Sequence, residues 1–569
     1  MSVATGDARP GRLARLLPAV DWLARYQRAW LRADVLAALT VWALVVPQAI
    51  AYAQIARLPP QAGLFTAFAG LLAYALLGTS RQLVVSPTSS TAAISAALVG
   101  TVAAGDAARV GPLSATLAIL VGVALLTLGV LHMGFVSRFI AAAVQAGFMF
   151  GLGLTIIVGQ VPKLLGVPEG QGNFFTQLGH LLTHLGDANA WTVAIGLTSL
   201  AALLVLRRVA PGVPAALLVV VAGTALVGLL GLAGHGVDVI GSVDRAVPAV
   251  TLPSVAWSEL VALLPGALAI AVIGYAESAT VAESLADEHR YTVRPDRELV
   301  AVGAANVLSG LVQGFITGGG ASQSAAADRA GARTQLVSLI VSGLTVLTAV
   351  ALLPLFRDLP QAVLGAIVIS AVLAFLNVPA LRRIARLRRD SFVLALLTLL
   401  GVLVLGVLAG LLLAVAMSIL LLLSGLSRPG SSVLGRLPGS LAWVALDRDP
   451  RAQPLPGLLV LRLDAPLLSV NAKVLRDLVR ARLGEADPPA RIVLLDLTLS
   501  PDLDIGGVDV LVAIRGDLRE RGVPLWLAGV RGATARMLAR GGLVDDVGRE
   551  HVYRTVEDSL PDVRATLAP

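Results

Sequence analysis

The sequence predicts a polytopic α-helical membrane protein with fourteen transmembrane segments, followed by a small soluble α/β domain. Three observations predict it. The 569-residue chain is 56% hydrophobic and only 14% charged, and its mean hydropathy is +0.82, far above that of a soluble globular protein. Apolar windows recur up to residue 426, and after Gly425 the pattern changes to short apolar strands alternating with polar-faced helices.

The apolar windows fall at 34–53, 63–79, 88–104, 112–132, 137–158, 191–208, 213–232, 260–284, 298–315, 322–334, 335–353, 360–377, 391–407 and 409–426. Several are shorter than the roughly 20 residues a straight crossing needs, notably 88–104 and 322–334, which predicts tilted or half-length helices there. Alternate loops are basic: those holding Arg81, Arg138, Arg207 with Arg208, His289 to Arg297, Arg329 with Arg333, and Arg382 to Arg389 fall on one side. The positive-inside rule makes that side cytoplasmic and places both termini there, in a multi-pass protein of the cell (inner) membrane. The organisation expected is a cytoplasmic N-terminal segment at 1–33, a membrane domain at 34–427, a Gly-, Pro- and Arg-rich linker and domain entry at 428–456 and the soluble domain at 457–569.

The net charge of +8 comes from cations dispersed at the ends of apolar segments. That placement argues for the lipid bilayer rather than nucleic acid as partner. With no cysteine and six scattered histidines there is no thiolate or histidine metal site to expect, and no catalytic triad or phosphate loop stands out, so no enzyme and no cofactor is predicted.

The two short segments carry the first functional signal. Residues 80–90 read Ser-Arg-Gln-Leu-Val-Val-Ser-Pro-Thr-Ser-Ser, an extended apolar triplet ending at Pro87 before small polar residues able to start a helix. Residues 317–324 read Thr-Gly-Gly-Gly-Ala-Ser-Gln-Ser, where three glycines interrupt the backbone before another helix start. Backbone breaks at membrane depth are tolerated only against protein or a cavity, and one break in each half points to a transporter site built from inverted repeats. Helix N-termini offer unpaired N–H groups and partial positive charge, so two of them converging would hold an anion. Ser86, Thr88, Ser89, Ser322 and Ser324 are hydroxyl donors there, or simple caps and packing residues.

Glu277 lies in an otherwise apolar stretch, 260–285. A charged group at that depth marks a polar pathway, either as a carrier of a proton or as part of a cation site that lets an anion enter as a neutral pair. Glu283 and Asp287, nearer the end of the segment, are expected in solvent. Helix-to-helix hydrogen bonding is the expected role of Gln48, Gln54, Gln145 and Gln313, and packing that of Tyr52, Phe148, Phe150 and Tyr275. In the soluble domain, strands are expected at 458–463, 491–496 and 524–529 and helices at 470–483, 507–520 and 532–540. Asp496, Asp502 and Asp504 there read as helix caps facing water rather than a cation site.

Val46-Pro-Gln-Ala-Ile-Ala-Tyr-Ala-Gln-Ile-Ala-Arg-Leu-Pro-Pro-Gln-Ala-Gly-Leu-Phe65, Tyr275-Ala-Glu-Ser278, Arg297-Glu-Leu-Val-Ala-Val-Gly-Ala-Ala-Asn306 and Gly331-Ala-Arg-Thr-Gln335 resemble the signatures of the SulP family of sulfate-permease-type anion transporters. The C-terminal region resembles the STAS domain of that family, and together the two cover about residues 24 to 560. The resemblance implies a seven-plus-seven inverted-repeat fold with core and gate domains, a homodimer, and elevator-like movement of the core. It implies substrate binding at Ser86, Thr88 and Ser89 and at Ala321, Ser322, Gln323 and Ser324, with Glu277 handling substrate or a coupling ion, H+ or Na+. Two departures stand out. Gln323 replaces the arginine of the Ser-Arg-Ser/Thr that many relatives carry, and Asp504-Ile505-Gly506-Gly507 lacks the hydroxyls of the Asp-Ser-Ser-Gly phosphorylation site, although Thr498 and Ser500 lie nearby. Docking of a cytoplasmic protein, or a packing role, is therefore the expected part of the STAS domain. The expected function is secondary active transport of a small inorganic anion, sulfate by proton symport or anion exchange. The alternatives are sodium-dependent bicarbonate transport and an anion-sensing, membrane-anchored signalling module.

Overall fold

Helices form at all fourteen predicted windows in the computed structural model, which describes residues 18–135, 141–210, 213–241, 247–486 and 488–568. They are α1 (Leu31–Ile55), α2 (Pro60–Leu77), α3 (Ser89–Ala103), α4 (Ala107–Val130), α5 (Ala142–Leu165), α6 (Ala190–Val209), α7 (Ala215–Leu230), α8 (Trp257–Glu288), α9 (Pro295–Leu311), α10 (Ala321–Arg329), α11 (Leu336–Leu347), α12 (Gln361–Val372), α13 (Arg389–Leu405) and α14 (Val407–Ser427). Among the described residues nine helical runs are long and apolar enough to cross a membrane, α11 only together with the turns that carry it to Phe356 and α12 only in a run that continues to Leu387; α3, α7, α9, α10 and α13 fall short. At 1.5 Å per residue the 32-residue α8 is longer than the hydrocarbon core is thick, which leaves Glu283 and Asp287 at its end exposed, as expected.

The chain divides into two compact units, residues 1–419 and 420–569. Within the first, the helices sort into two bundles. One joins α1 to α4 with α8 to α11, and the other joins α5 to α7 with α12 and α13. In the first bundle α4 and α9 touch through glycine: a Cβ at Gly122 would lie 2.6 Å from the Gly303 carbonyl oxygen, and one at Gly303 would lie 2.9 Å from that of Gly122. In the second, a Cβ at Gly151 of α5 would lie 2.9 Å from the Val402 side chain of α13. Such small-residue contacts let helices pack closely where lipid removes the hydrophobic drive. The bundles meet chiefly where α1 lies against α7 and α12.

Buried polar side chains fix the irregular backbone. Glu298 of α9 accepts from the Tyr74 hydroxyl (2.6 Å) and from the Thr79 amide (2.7 Å) and hydroxyl (2.6 Å). Asp34 of α1 accepts from the Arg333 amide at 2.7 Å and the Thr334 hydroxyl at 2.8 Å. Polar groups buried without such partners are strongly unfavourable, so these residues set where the chain leaves and re-enters the helices. Of the four glutamines expected between helices, Gln48 alone is so bonded among the described residues. Gln313 is exposed and donates to Thr251 in a loop at 2.9 Å, because α9 ends before it, and the buried Gln54 Oε1 has no partner.

Two ten-residue helices occupy equivalent places in the two halves. Phe174–Thr183 lies between α5 and α6, and Val378–Leu387 between α12 and α13; both pack on α5 and α13. Each is started by an asparagine, Asn173 or Asn377, whose side-chain oxygen accepts an amide three residues on at 3.0 Å.

The second unit is a five-stranded sheet in the order β4 (Trp443–Ala445), β3 (Ser431–Arg436), β5 (Leu458–Leu463), β6 (Ile492–Asp496), β7 (Leu525–Ala528), with β5, β6 and β7 parallel. All three predicted strands and all three predicted helices are present. The stretch read as a linker and domain entry, 428–456, already belongs to the sheet in part: β3 pairs antiparallel with β5 and with β4. Its Gly, Pro and Arg content masks strands that become legible only once β5 offers them an edge. Leu461, Leu495, Leu511 and Ile514 form one core layer, and Trp526, Val460, Leu494 and Val563 another on the opposite face. Asp504 caps the helix Ile505–Glu520, accepting from the Gly507 amide at 2.8 Å.

On the surface of that unit Arg476 donates two 2.8 Å hydrogen bonds to Asp517, and these hold its carboxyl down at about 2. A depressed carboxyl contributes stability above its unfolded value, near 4, and loses it as pH falls towards 2. Asp517→Asn is therefore expected to lower the unit's stability modestly, by about 0.2–1 kcal/mol as for exposed pairs, at pH 7 but not at pH 2. Urea unfolding followed at both pH values checks this.

Candidate functional site

The two backbone breaks meet. Val85 and Ser86 form a short strand (β1) that pairs antiparallel with Gly318 and Gly319 (β2), in the register Val85 with Gly319 and Ser86 with Gly318. The ribbon is extended by the Gly320 amide, which donates to the Val84 carbonyl at 3.0 Å, and by the Val84 amide, which donates to Ser324 Oγ at 2.9 Å. Helix α3 starts just beyond one end and α10 just beyond the other. Two helix N-termini thereby converge on one four-residue ribbon.

The ribbon is fastened to its neighbours by side chains. The Gly319 amide donates to Ser278 Oγ at 2.8 Å, and that hydroxyl donates to the Gly274 carbonyl of α8 at 2.8 Å. Glycine at 319 lets the ribbon lie close to α8, since a Cβ there would come within 3.0 Å of the Ser278 Cα. Asn306 of α9 accepts from the Thr317 amide and donates to the Thr317 carbonyl, both at 3.0 Å. Gln335 donates to the carbonyls of Ser80 (2.8 Å) and Leu83 (3.0 Å).

At the start of α3, Thr88 and Thr91 form a reciprocal cap, each hydroxyl accepting the other's amide at 3.2 Å. At the start of α10 the Ser324 amide is the first to find a backbone partner, the Gly320 carbonyl at 2.9 Å. The amides of Ala321, Ser322 and Gln323 precede it and are aimed outward from the helix start, the arrangement that favours an anion. Beside them Ser90 Oγ donates to Glu277 Oε2 at 2.9 Å, tying α3 to α8. Gln323 Nε2 donates to Gln48 Oε1 at 2.8 Å and to the Pro87 carbonyl at 3.3 Å, tying α10 to α1 and to the other break, while its Oε1 is buried without a partner.

The predicted residues thus occupy one neighbourhood in different settings. Ala321 and Ser322 are exposed and Glu277 is half-buried; Ser86, Thr88, Ser89, Gln323 and Ser324 are buried. The Ser324 hydroxyl is committed to the ribbon and that of Thr88 to the cap, whereas Ser86 Oγ has no partner. Ser90 and Ser278 were not singled out by sequence. Ser90 extends the hydroxyl run of 86–90 by one residue, and Ser278 adjoins Glu277, so proximity was the available signal. A cavity of about 330 Å³ lined by Leu58, Phe65, Pro112, Thr251 and Gln313 lies elsewhere, as does one of about 370 Å³ lined by Trp42, Val46, Val220 and Phe356. Among the described residues no group of three or more His, Asp or Glu is placed to hold a metal ion.

Comparison with known proteins gives a consistent picture. The pattern of the sulfate permease family matches residues 31–398, and that of the STAS domain matches residues 449–559. A probable sulfate transporter of Mycobacterium tuberculosis strain H37Rv is 37% identical over 547 residues, covering 96% of this chain and 98% of its own. High affinity sulfate transporter 1 of Stylosanthes hamata is 28% identical, covering 96% of this chain and 86% of its own. In three dimensions the chain is similar to the murine solute carrier 26 family member A9 anion transporter in its inward-facing state. That match has a TM-score of 0.89 at 24% identity and covers 99% of this chain and 96% of the other. It is also similar to the transmembrane domain of the cyanobacterial bicarbonate transporter BicA, with a TM-score of 0.61 at 22% identity over 68% of this chain and 98% of the other.

Proposed function

The chain belongs to the sulfate permease family and is a secondary active transporter of a small inorganic anion, and we propose that this anion is sulfate, moved by proton symport or anion exchange. The observation that carries the reading is the convergence of α3 and α10 on one ribbon, with the Glu277 carboxylate beside it and a neutral Gln323 where a cation would otherwise stand. The anion is held at the site formed by Ser86, Thr88, Ser89, Ala321, Ser322, Gln323 and Ser324, with the amides of Ala321, Ser322 and Gln323 and the Ser86 hydroxyl as its donors and Thr88 and Ser324 setting the two helix starts. Positive ends of helix dipoles, without a full cation, suit a site that must release what it binds. Glu277 supplies the coupling: a carboxylate at that depth repels a dianion, so it takes up a proton as the anion enters and returns it as the anion leaves. No covalent chemistry takes part.

The family fold is the seven-plus-seven, elevator-type arrangement, and on it we assign α1–α4 with α8–α11 as the moving core and α5–α7 with α12–α14 as the gate. The protein works as a homodimer with both termini in the cytoplasm, and its STAS domain docks a cytoplasmic protein. That domain lacks a hydroxyl at residues 505 and 506, which supports docking over phosphorylation at the antagonist-type position. The neutral Gln323 favours one second reading, a sodium-coupled carrier of the monovalent bicarbonate.

Uptake of radiolabelled sulfate and bicarbonate into proteoliposomes, with proton and sodium gradients imposed separately, distinguishes the two. Proton-driven accumulation of sulfate is the expected result. Sodium-driven bicarbonate uptake with sulfate excluded would replace the first reading by the second.

A further inference from the structure

The helices Phe174–Thr183 and Val378–Leu387 hold equivalent places, have equal length, share an asparagine cap and pack on the same pair, α5 and α13. Their charges differ completely. The first reads FFTQLGHLLT, without Lys, Arg, Asp or Glu, and the second reads VPALRRIARL and runs directly into Arg388 and Arg389. The element therefore folds and packs without cations, and the arginines of the second copy serve something outside the bundle.

Their setting indicates what. Arg382, Arg383, Arg386, Arg388 and Arg389 are all exposed, and among the described residues none makes an ion pair or a side-chain hydrogen bond. Leu381, Ile384 and Ala385, at helical spacing, are half-buried on the inner side. The result is a short helix with an apolar stripe against the bundle and an arginine stripe away from it, at the junction of the apolar helices α12 and α13. That is the form of a helix lying in the membrane interface, where guanidinium groups meet anionic headgroups.

We propose that Val378–Leu387, with Arg388 and Arg389, is a binding surface for anionic phospholipid headgroups that holds the α5 and α13 bundle at one level of the membrane. Charge complementarity commits the occupant: five cations stand against a single acid, Asp390, across 378–390. The apolar twin at the opposite position carries no such attraction, so anchoring acts at one membrane face.

The test uses the full-length protein in vesicles and reads the motionally restricted fraction of spin-labelled phosphatidylglycerol against spin-labelled phosphatidylcholine, with no substrate present. The wild type is expected to prefer phosphatidylglycerol by about fivefold or more, a preference reduced at high salt. R382Q/R383Q/R386Q is expected to lose most of it and R382K/R383K/R386K to keep most. A wild type without preference overturns the proposal whatever the variants do, and so does a folded triple glutamine variant, with unchanged melting, that retains it. Because the readout is independent of uptake, its failure is separate from any failure of the transport assignment.

Discussion

Glu277→Gln is expected to uncouple uptake from the proton gradient: accumulation should fall by about tenfold to 100-fold, while folding and exchange of anions already at equal concentration persist. Glutamine keeps the size of glutamate and can still accept from Ser90 Oγ, which lies 2.9 Å from the carboxylate, so packing between α3 and α8 is preserved. What it loses is the ability to change charge. Hydrogen bonds and attractions made by an ionised group are each worth about 1.5–3 kcal/mol, which sets the size of the effect. Ser90→Ala, which removes the tie and leaves the titrating group, should shift the pH dependence of uptake more than its maximum. Gradient-driven accumulation by Glu277→Gln at the wild-type level would remove Glu277 from coupling altogether.

The largest expected loss of stability is at Glu298→Ala. That carboxylate is 2% exposed and satisfies the Tyr74 hydroxyl and both the amide and hydroxyl of Thr79. Removing it strands these donors in a dry interior, at about 1–3 kcal/mol each, and frees the turn that leads from α2 into β1. A destabilisation of about 3 kcal/mol or more is expected, visible as a lower melting temperature of the detergent-purified protein and as lost monodispersity. Tyr74→Phe deletes one donor together with its need for a partner and should lower stability by about 1 kcal/mol. A Glu298→Ala protein that melts with the wild type would show that water or another residue satisfies Thr79.

The membrane fold was legible because hydropathy reports burial in lipid directly, and the two short windows, 88–104 and 322–334, became the 15-residue α3 and the nine-residue α10. The breaks at Pro87 and Gly318–Gly320 were legible as breaks. That they pair with each other was not, because residues 85 and 319 are brought together by α9 and α11 rather than by any local pattern. The same holds for partners: Glu277 stands out in an apolar stretch, but Ser90, 187 residues away, is identified as its donor only by the fold. Residues 428–456, read as linker and domain entry, hid their strands for a related reason, since β3 is a strand by virtue of its neighbour β5.

The ribbon that joins the two half-helices has a thermodynamic consequence. Since β1 and β2 are hydrogen-bonded to each other and fastened to α8, α9 and the loop before α11, both walls of the site belong to a single body. On the site and movement proposed above, the same protein donors would be presented at either face. Which way net flux runs is then dictated by the two compartments rather than by the carrier.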